Sequence, residues 1–457
     1  MKAQSIDLSP EHSFCAVRLL RPRGGICFTF TVLMLFTLDE IHAAAATIAP
    51  LGSFNGVNGN EPVGNLVLAG STLYGLASSG GPNNDGVVYS LPVSGGTPTI
   101  LGSFNGANGA FPEGNLILSG TTLYGMTSAG GANNLGTVFS IPLSGGSPAT
   151  LISFNGNNGA SPFDNSLIVN GSNLYGVTNK GGANNVGAIF KIPIGGGAPT
   201  VITSLDGSTG RPQGGLTLVG STLYGTSTLG GLGFGTVYKV PLSGGPATVL
   251  AAFNGGLSGY GPLAGVVANG STLYGTTGFG GMGPGYGTVF SVPMTGGTIT
   301  TLAQFNGTNG FEPQADMMLF GSTLYGTTTD GGIHGQGNIF SIPITGGAIT
   351  SVASFSNLDP NNSTGAAPLG GLILNGSTFY GATTQGGPFP AGTLGDGVVY
   401  ALTGVGVPEP PAYALCGVGI LGLLAHGFRR RIRATSHLAD MTGVASYRAA
   451  TCMLPWP

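Results

Sequence analysis

One histidine, His334, lies in the long, weakly charged middle of this 457-residue chain, and Glu312, Asp316 and Asp330 lie close to it in sequence. A histidine with carboxylates on neighbouring loops is the residue set of a divalent-metal centre or an acid/base pair. Phe311 and Tyr286 fall in adjoining loops and add ring faces suited to stacking. These six are the candidate binding residues. The competing reading is a set of solvated loop residues. No nucleophile motif supports catalysis: a Gly-x-Ser-x-Gly elbow at a strand-to-helix turn is not found, nor are phosphate-loop or zinc-finger spacings. No catalytic residue is therefore assigned. The Asn-rich loops offer too few carboxylates for a strong calcium site. A divalent cation is the one cofactor the residues leave open, and the metal itself is unknown.

The elements that must position these residues come from an internal repeat. A Leu/Phe-Tyr-Gly core recurs with its tyrosine at Tyr74, Tyr124, Tyr175, Tyr224, Tyr274, Tyr325 and Tyr380, spaced 50, 51, 49, 50, 51 and 55 residues apart. A period near 50 with strand-like segments inside it marks a repeat architecture. The second copy predicts strands over 115–119, 122–128, 137–143 and 149–154, separated by Ser-Gly and Ser-Gly-Gly turns. Leu116 and Leu118 share one face by period-two alternation, and the glycines supply positive φ for hairpins. Pro142 and its equivalents fall near a strand end, where a lost ladder donor is tolerated.

Four strands per unit and seven units predict an all-β, seven-bladed β-propeller. An orphan strand over 47–54 precedes the first unit, and the seventh unit stops after three strands. The N-terminal strand is expected to complete the last blade and close the ring, which removes the exposed edges of an open array. A linear β-solenoid is the rival, but it leaves the complementary ends unexplained. The recurring tyrosines, and Phe54, Phe104, Phe154, Leu205, Phe253, Phe305 and Phe355 with their aromatic partners, are expected to pack between blades. Alternating strands put the fourth-to-first and second-to-third loops on one face. These are the long, variable loops, and function is expected there. Their aromatics include Phe111, Phe163, Tyr260 and Phe389.

Composition narrows the function classes. The chain has 88 Gly, 6% charged residues and a formal net charge of −3. Lys180, Arg211 and Lys239 fall in separate repeats, so no basic stripe is expected and a nucleic-acid partner is excluded. The four cysteines lie outside the repeats, which excludes a disulfide framework there.

The LYG…GG…GTVF pattern resembles the GloVer tandem repeat of bacterial surface proteins, across most of 47–406. That resemblance implies export but no particular activity. The ends agree with it. Residues 1–46 carry Arg18, Arg21 and Arg23, an apolar run over 26–38 and small residues at 43–46, the pattern of an export signal. Pro408, Glu409 and Pro410 are followed by an apolar stretch and then by Arg429, Arg430 and Arg431, with Arg433 beyond. Residues 407–433 resemble a PEP-CTERM sorting signal, which implies an exosortase-type peptidase as partner and a membrane segment with its arginines inside. Residues 434–457 extend past the usual end of such a signal and are expected to be a disordered tail. The expectation is a surface-anchored propeller that binds extracellular polysaccharide or a surface protein without turnover. The alternatives are an exported glycan hydrolase or lyase using loop-face carboxylates, and a structural envelope component.

Overall fold

The computed structural model describes residues 46–163, 166–281, 284–356, 364–387 and 395–405. Its strands form seven four-stranded antiparallel sheets arranged as a β-propeller. In blade 2 the strands are Ile117–Ser119, Thr122–Thr127, Thr137–Pro142 and Ala149–Ser153, hydrogen-bonded in that order. The first strand begins two residues later than the sequence pattern suggests. Its leading residues are held at the ring axis, where they meet neighbouring blades instead of their own second strand. First strands of adjoining blades run side by side, as the parallel bridge between Asn115 and Ser166 records. The first strand of each blade is therefore the innermost.

Every hydrophobic cluster spans a seam between two blades. Tyr74, Leu76, Val88 and Phe104 of blade 1 pack on Leu116, Leu123, Phe139 and Ile141 of blade 2. The same arrangement recurs around the ring, with Tyr124 on blade 3 and Tyr274 on blade 6. Six of the seven seams carry a ring pair in which the residue after the fourth strand meets an aromatic of the next blade's third strand. Phe104 and Phe139 have centroids 4.9 Å apart at 72°, and Phe253 and Phe290 are 5.0 Å apart at 78°. Edge-to-face pairs add roughly 0.5–1.5 kcal/mol each beyond their buried area. At the remaining seam Leu205 packs with Tyr238.

The third-strand ring also explains the glycine after each recurring tyrosine. Gly125 lies opposite Phe139 in the strand register, and a Cβ on it would sit 2.6 Å from Phe139 Cζ. The ring lies over that glycine, so no side chain fits there.

Closure follows the sequence expectation. Thr47–Ser53 pairs antiparallel with Val398–Thr403, bringing Ile48 opposite Leu402 and Ser53 opposite Val398. Blade 7 is thus built from both ends of the array, and Tyr380 and Val399 pack against Leu73 and Tyr89 of blade 1. A solenoid has no such contact. Deleting residues 46–53 is expected to uncover the Val398–Thr403 edge, lower the melting temperature and produce concentration-dependent association. Light scattering and thermal unfolding read both effects; a monomer of unchanged stability would contradict this account of closure.

The rings over the glycines are Tyr89, Tyr238 and Tyr400 in blades 1, 4 and 7, and phenylalanine in the other four. All three tyrosine hydroxyls are buried without a hydrogen-bond partner, and burial pushes their pKa values up. An unsatisfied buried hydroxyl carries a desolvation cost of about 1–3 kcal/mol. Tyr238→Phe is accordingly expected to stabilise the protein by about 1 kcal/mol in denaturant titration, within that range.

Candidate functional site

The long loops form one face and latch to one another across the seams. In four blades the fourth-to-first loop opens with a paired asparagine turn: Asn105 and Asn108 exchange backbone-to-side-chain hydrogen bonds at 2.9 and 3.0 Å. Asn55/Asn58, Asn155/Asn158 and Asn306/Asn309 do the same. A few residues on, the chain adopts positive φ at Glu61, Phe111, Ser161, Glu312 and Ala367. Each of these residues donates its backbone N–H to the preceding blade's second-to-third loop, as in Phe111 to Asp85 O at 2.9 Å and Ser161 to Leu135 O at 2.8 Å. A side chain on this turn thus stands beside the next-door blade. Left-handed backbone at non-glycine residues costs of order 1–3 kcal/mol and concentrates at functional positions.

A proline follows each of these turns and the matching loops of blades 4 and 5, at positions 62, 112, 162, 212, 262, 313 and 368, and in five of the seven cases the residue after it lines one hollow shared by blades 1, 2, 3, 6 and 7. That residue varies: Val63, Glu113, Phe163, Gln213, Leu263, Gln314 and Leu369. Below this ring the axis is closed. A Cβ on Gly64 would sit 2.3 Å from Gly114 O, and one on Gly370 would sit 2.2 Å from Gly64 O. A hydrogen-bond chain seals the plug. Gly371 N–H donates to Asn65 Oδ1 at 2.6 Å, Asn65 N–H to Asn115 Oδ1 at 2.7 Å, and Asn115 Nδ2 to Asp316 Oδ2 at 3.3 Å. Gly265 N–H donates to Asp316 Oδ1 at 2.7 Å. Asp316 pins together blades 2, 5 and 6. Burial pushes its pKa up, opposed by the hydrogen bonds from Gly265 and Asn115.

Two depressions lie above the plug and share Phe163 as a wall. The first, about 240 Å³, is lined by Glu61, Glu113, Ser78, Gln314 and Thr384 among others. Ser78 Oγ donates to Glu61 Oε2 at 3.2 Å. Burial pushes the Glu113 pKa up; a Ser128 hydrogen bond opposes this and the Glu61 charge adds to it. The second depression, about 270 Å³, is lined by Lys180 and Arg211 with Ser161, Asn179, Gln213 and Thr228.

The six residues singled out from sequence separate into three places. Phe311 and Tyr286 form a ring pair, 5.1 Å apart at 74°, at the seam of blades 5 and 6. Glu312 and Asp330 join them there: the Phe311 and Asp330 backbones bond to each other, and Gln314 Nε2 donates to Glu312 Oε1 at 3.3 Å. Burial raises both carboxyl pKa values, and the Asp330 charge raises Glu312 further. His334 is exposed at its loop tip. Asp316 leaves the group for the axis, because the loop carries it past the mouth into the innermost strand's lead. Among the described residues no group of three or more His, Cys, Asp or Glu side chains could hold a metal ion. Phe389 and the sorting residues Pro408, Glu409, Pro410, Arg429, Arg430 and Arg431 lie outside the described residues.

Sequence reasoning missed Glu61 and Glu113, and it separated Lys180 from Arg211 because they fall in different repeats. The fold joins that pair. Lys180 is on the second-to-third loop of blade 3, Arg211 is on the loop entering blade 4, and Asn179 Nδ2 clasps the two loops by donating to Pro212 O at 3.0 Å. The variable residues flanking each recurring proline, Glu61, Glu113 and Arg211 among them, were the available signal.

The architecture defines a seven-bladed, axially sealed propeller with a polar mouth. Its sequence matches the family model described as the Gloeobacter/Verrucomicrobia repeat over residues 34–234 and 230–403, and the chain belongs to that family. No curated protein matches it. Among solved structures it is similar to a putative 6-phosphogluconolactonase from Bacteroides uniformis, at 16% identity and TM-score 0.44, covering 63% of this chain and 83% of that one. It is also similar to a GH74 enzyme from Niastella koreensis, at 19% identity and TM-score 0.44, covering 74% and 52%. A putative TolB from Agrobacterium tumefaciens matches at 14% identity and TM-score 0.34, covering 53% and 79%.

The raised carboxyls set an expected pH dependence. A carboxyl whose folded pKa lies above its unfolded value binds its proton more tightly when folded. Its penalty on the fold is absent below the unfolded pKa, near 4, and grows as pH rises through the folded pKa. Glu113, Glu312, Asp316 and Asp330 all act in this direction. Asp206, lowered chiefly by its Ser208 hydrogen bond, acts oppositely, and only below its own ordinary range. Unfolding free energy is expected to rise as pH falls from 7 toward about 4.5, the reverse of common acid denaturation. Asp316→Asn should flatten that slope, and denaturant midpoints across the range would detect a slope of the opposite sign.

Proposed function

We propose that this protein is an exported, surface-held propeller that binds extracellular polysaccharide through its long-loop face, without turnover. The observation that carries this reading is the distribution of exposed apolar side chains. Val57, Phe111, Phe163, Leu229, Leu232, Phe234, Leu257, Tyr260 and Ile333 are all on the long loops. Partly exposed rings beside serine, threonine and amide side chains suit a sugar, whose C–H faces stack while its hydroxyls hydrogen-bond. Export and anchoring rest on the resemblance of the two chain ends to an export signal and a sorting signal, with an exosortase-type peptidase as the processing partner. A surface protein is the other partner this face suits. Among the described residues no helix is long and apolar enough to cross a membrane.

Glu61 and Glu113 favour hydrolysis as a second reading. Two neighbouring carboxyls, one with a raised pKa, are the equipment of a glycosidase acid and its partner. In that reading Glu113 donates the proton and Glu61 supplies the second carboxylate.

The test is a melting-temperature screen of the full chain against bacterial polysaccharides, followed by a reducing-end assay. A ligand that binds only the folded state stabilises it by ~2.7 kcal/mol at a hundredfold excess over Kd. A shift without product release is the expected result. Turnover lost in Glu113→Gln would establish the enzyme instead, and a flat screen with self-association would point to a structural component.

A further inference from the structure

We propose that the mouth of the propeller is built for an anionic glycan whose charged sugars are separated by neutral ones. The inference rests on the polysaccharide-binding reading and names the ligand class and the residues that select it.

Residues 46–405 contain four basic side chains: Lys180, Lys191, Arg211 and Lys239. Lys191 and Lys239 are on third strands, paired opposite Tyr175 and Tyr224. Lys180 and Arg211 come from consecutive repeats and line the same depression. Both are exposed, and neither forms an ion pair with another described residue. Two cations facing one hollow, neither paired with a described carboxylate, attract an anion, and a guanidinium matches the two oxygens of a carboxylate.

The neighbouring groups fix the ligand class further. Phe163, 38% exposed, walls the hollow and offers a stacking surface. Asn179 Oδ1 and Gln213 can receive and return hydroxyl hydrogen bonds. At about 270 Å³ the hollow is just below the ~300 Å³ where drug-sized pockets begin, a size suited to one sugar ring. Across Phe163, the adjoining depression reverses the charge. There Glu61 and Glu113 line a hollow that shares the Phe163 wall with the first. Carboxylates accept hydrogen bonds from a neutral, hydroxyl-rich sugar and repel a second anion. The mouth thus selects alternation: an anionic unit beside Lys180 and Arg211, then a neutral unit beside Glu61 and Glu113.

The experiment is calorimetric titration of the full chain with four tetrasaccharides. Hyaluronan carries alternating carboxylates, κ-carrageenan alternating sulfates, oligogalacturonate a carboxylate on every ring, and maltotetraose no charge. At least one alternating ligand is expected to bind best, and which one binds identifies carboxylate or sulfate as the anion. Lys180→Gln or Arg211→Gln should weaken it about tenfold or more, the loss of one hydrogen bond to a charged group at ~1.5 kcal/mol. Added salt should weaken it as well. Both side chains are exposed, so the variants should keep the parental melting temperature. Glu61→Gln should narrow the gap between alternating and fully charged ligands. Maltotetraose bound as tightly as the alternating ligands, or variants with unchanged affinity, would overturn the proposal and leave polysaccharide binding standing. Failure of all four to bind would overturn the proposal, while a shift with some other polysaccharide in the broader screen would still uphold the parent reading.

Discussion

A blade of this protein has no core of its own. Each sheet buries its apolar side chains against the next blade, so the fold depends on every seam being closed. Phe104 of blade 1 is buried because Phe139 of blade 2 stands against it. Hydrophobic burial contributes in proportion to the apolar area removed from water, and an open ring would leave two unpaired faces and a bare strand edge. The junction of Thr47–Ser53 with Val398–Thr403 is therefore a condition for the other six seams. It places a sheet's hydrogen bonds where the covalent chain is interrupted.

The same geometry governs where sequence can vary. Second and third strands are buried on both faces, and a ring lying over Gly125 leaves no freedom at that pair. Innermost strands converge until backbones touch, which forces Gly or Ala at positions such as Gly64, Gly214 and Ala264. Tight turns leave room for little besides glycine. Variation remains in the long loops, and the positive-φ turn before each proline aims it at the adjoining blade and at the axis. A closed axis makes the mouth a floor rather than a channel.

The sequence period carried the architecture far: blade number, strand count, closure by the N-terminal strand and the face that gathers the long loops were all readable from spacing and turn residues. Seam packing was readable too, because a tyrosine repeated in every unit has to do the same thing in every unit. The site was much less legible. His334 drew attention by being the single histidine of the array, yet it stands exposed at a loop tip. Asp316 read as a loop-face carboxylate and proves to be part of the axial plug, since a shift of a few residues along the loop moves a side chain from mouth to axis. Lys180 and Arg211 read as isolated because sequence separation was measured within repeats. In the ring, the end of one blade's loop faces the start of the next, and residues 31 positions apart share a hollow.

A sevenfold scaffold is an unusual place for an asymmetric mouth, and the loop mechanics explain how it tolerates one. The latches that hold the loops are backbone hydrogen bonds, such as Ser161 N–H to Leu135 O, and they constrain φ and ψ without consulting the side chain beyond them. The residue after each proline can then be Glu113 in one blade, Phe163 in the next and Gln213 in the third, while the strand order below repeats unchanged. Symmetry is enforced where burial is complete and released where side chains meet solvent. Charge follows the same division. A chain with 6% charged residues leaves its buried seams neutral and sets carboxylates and cations on opposite sides of Phe163. Those four side chains give the two hollows of the mouth charge of opposite sign.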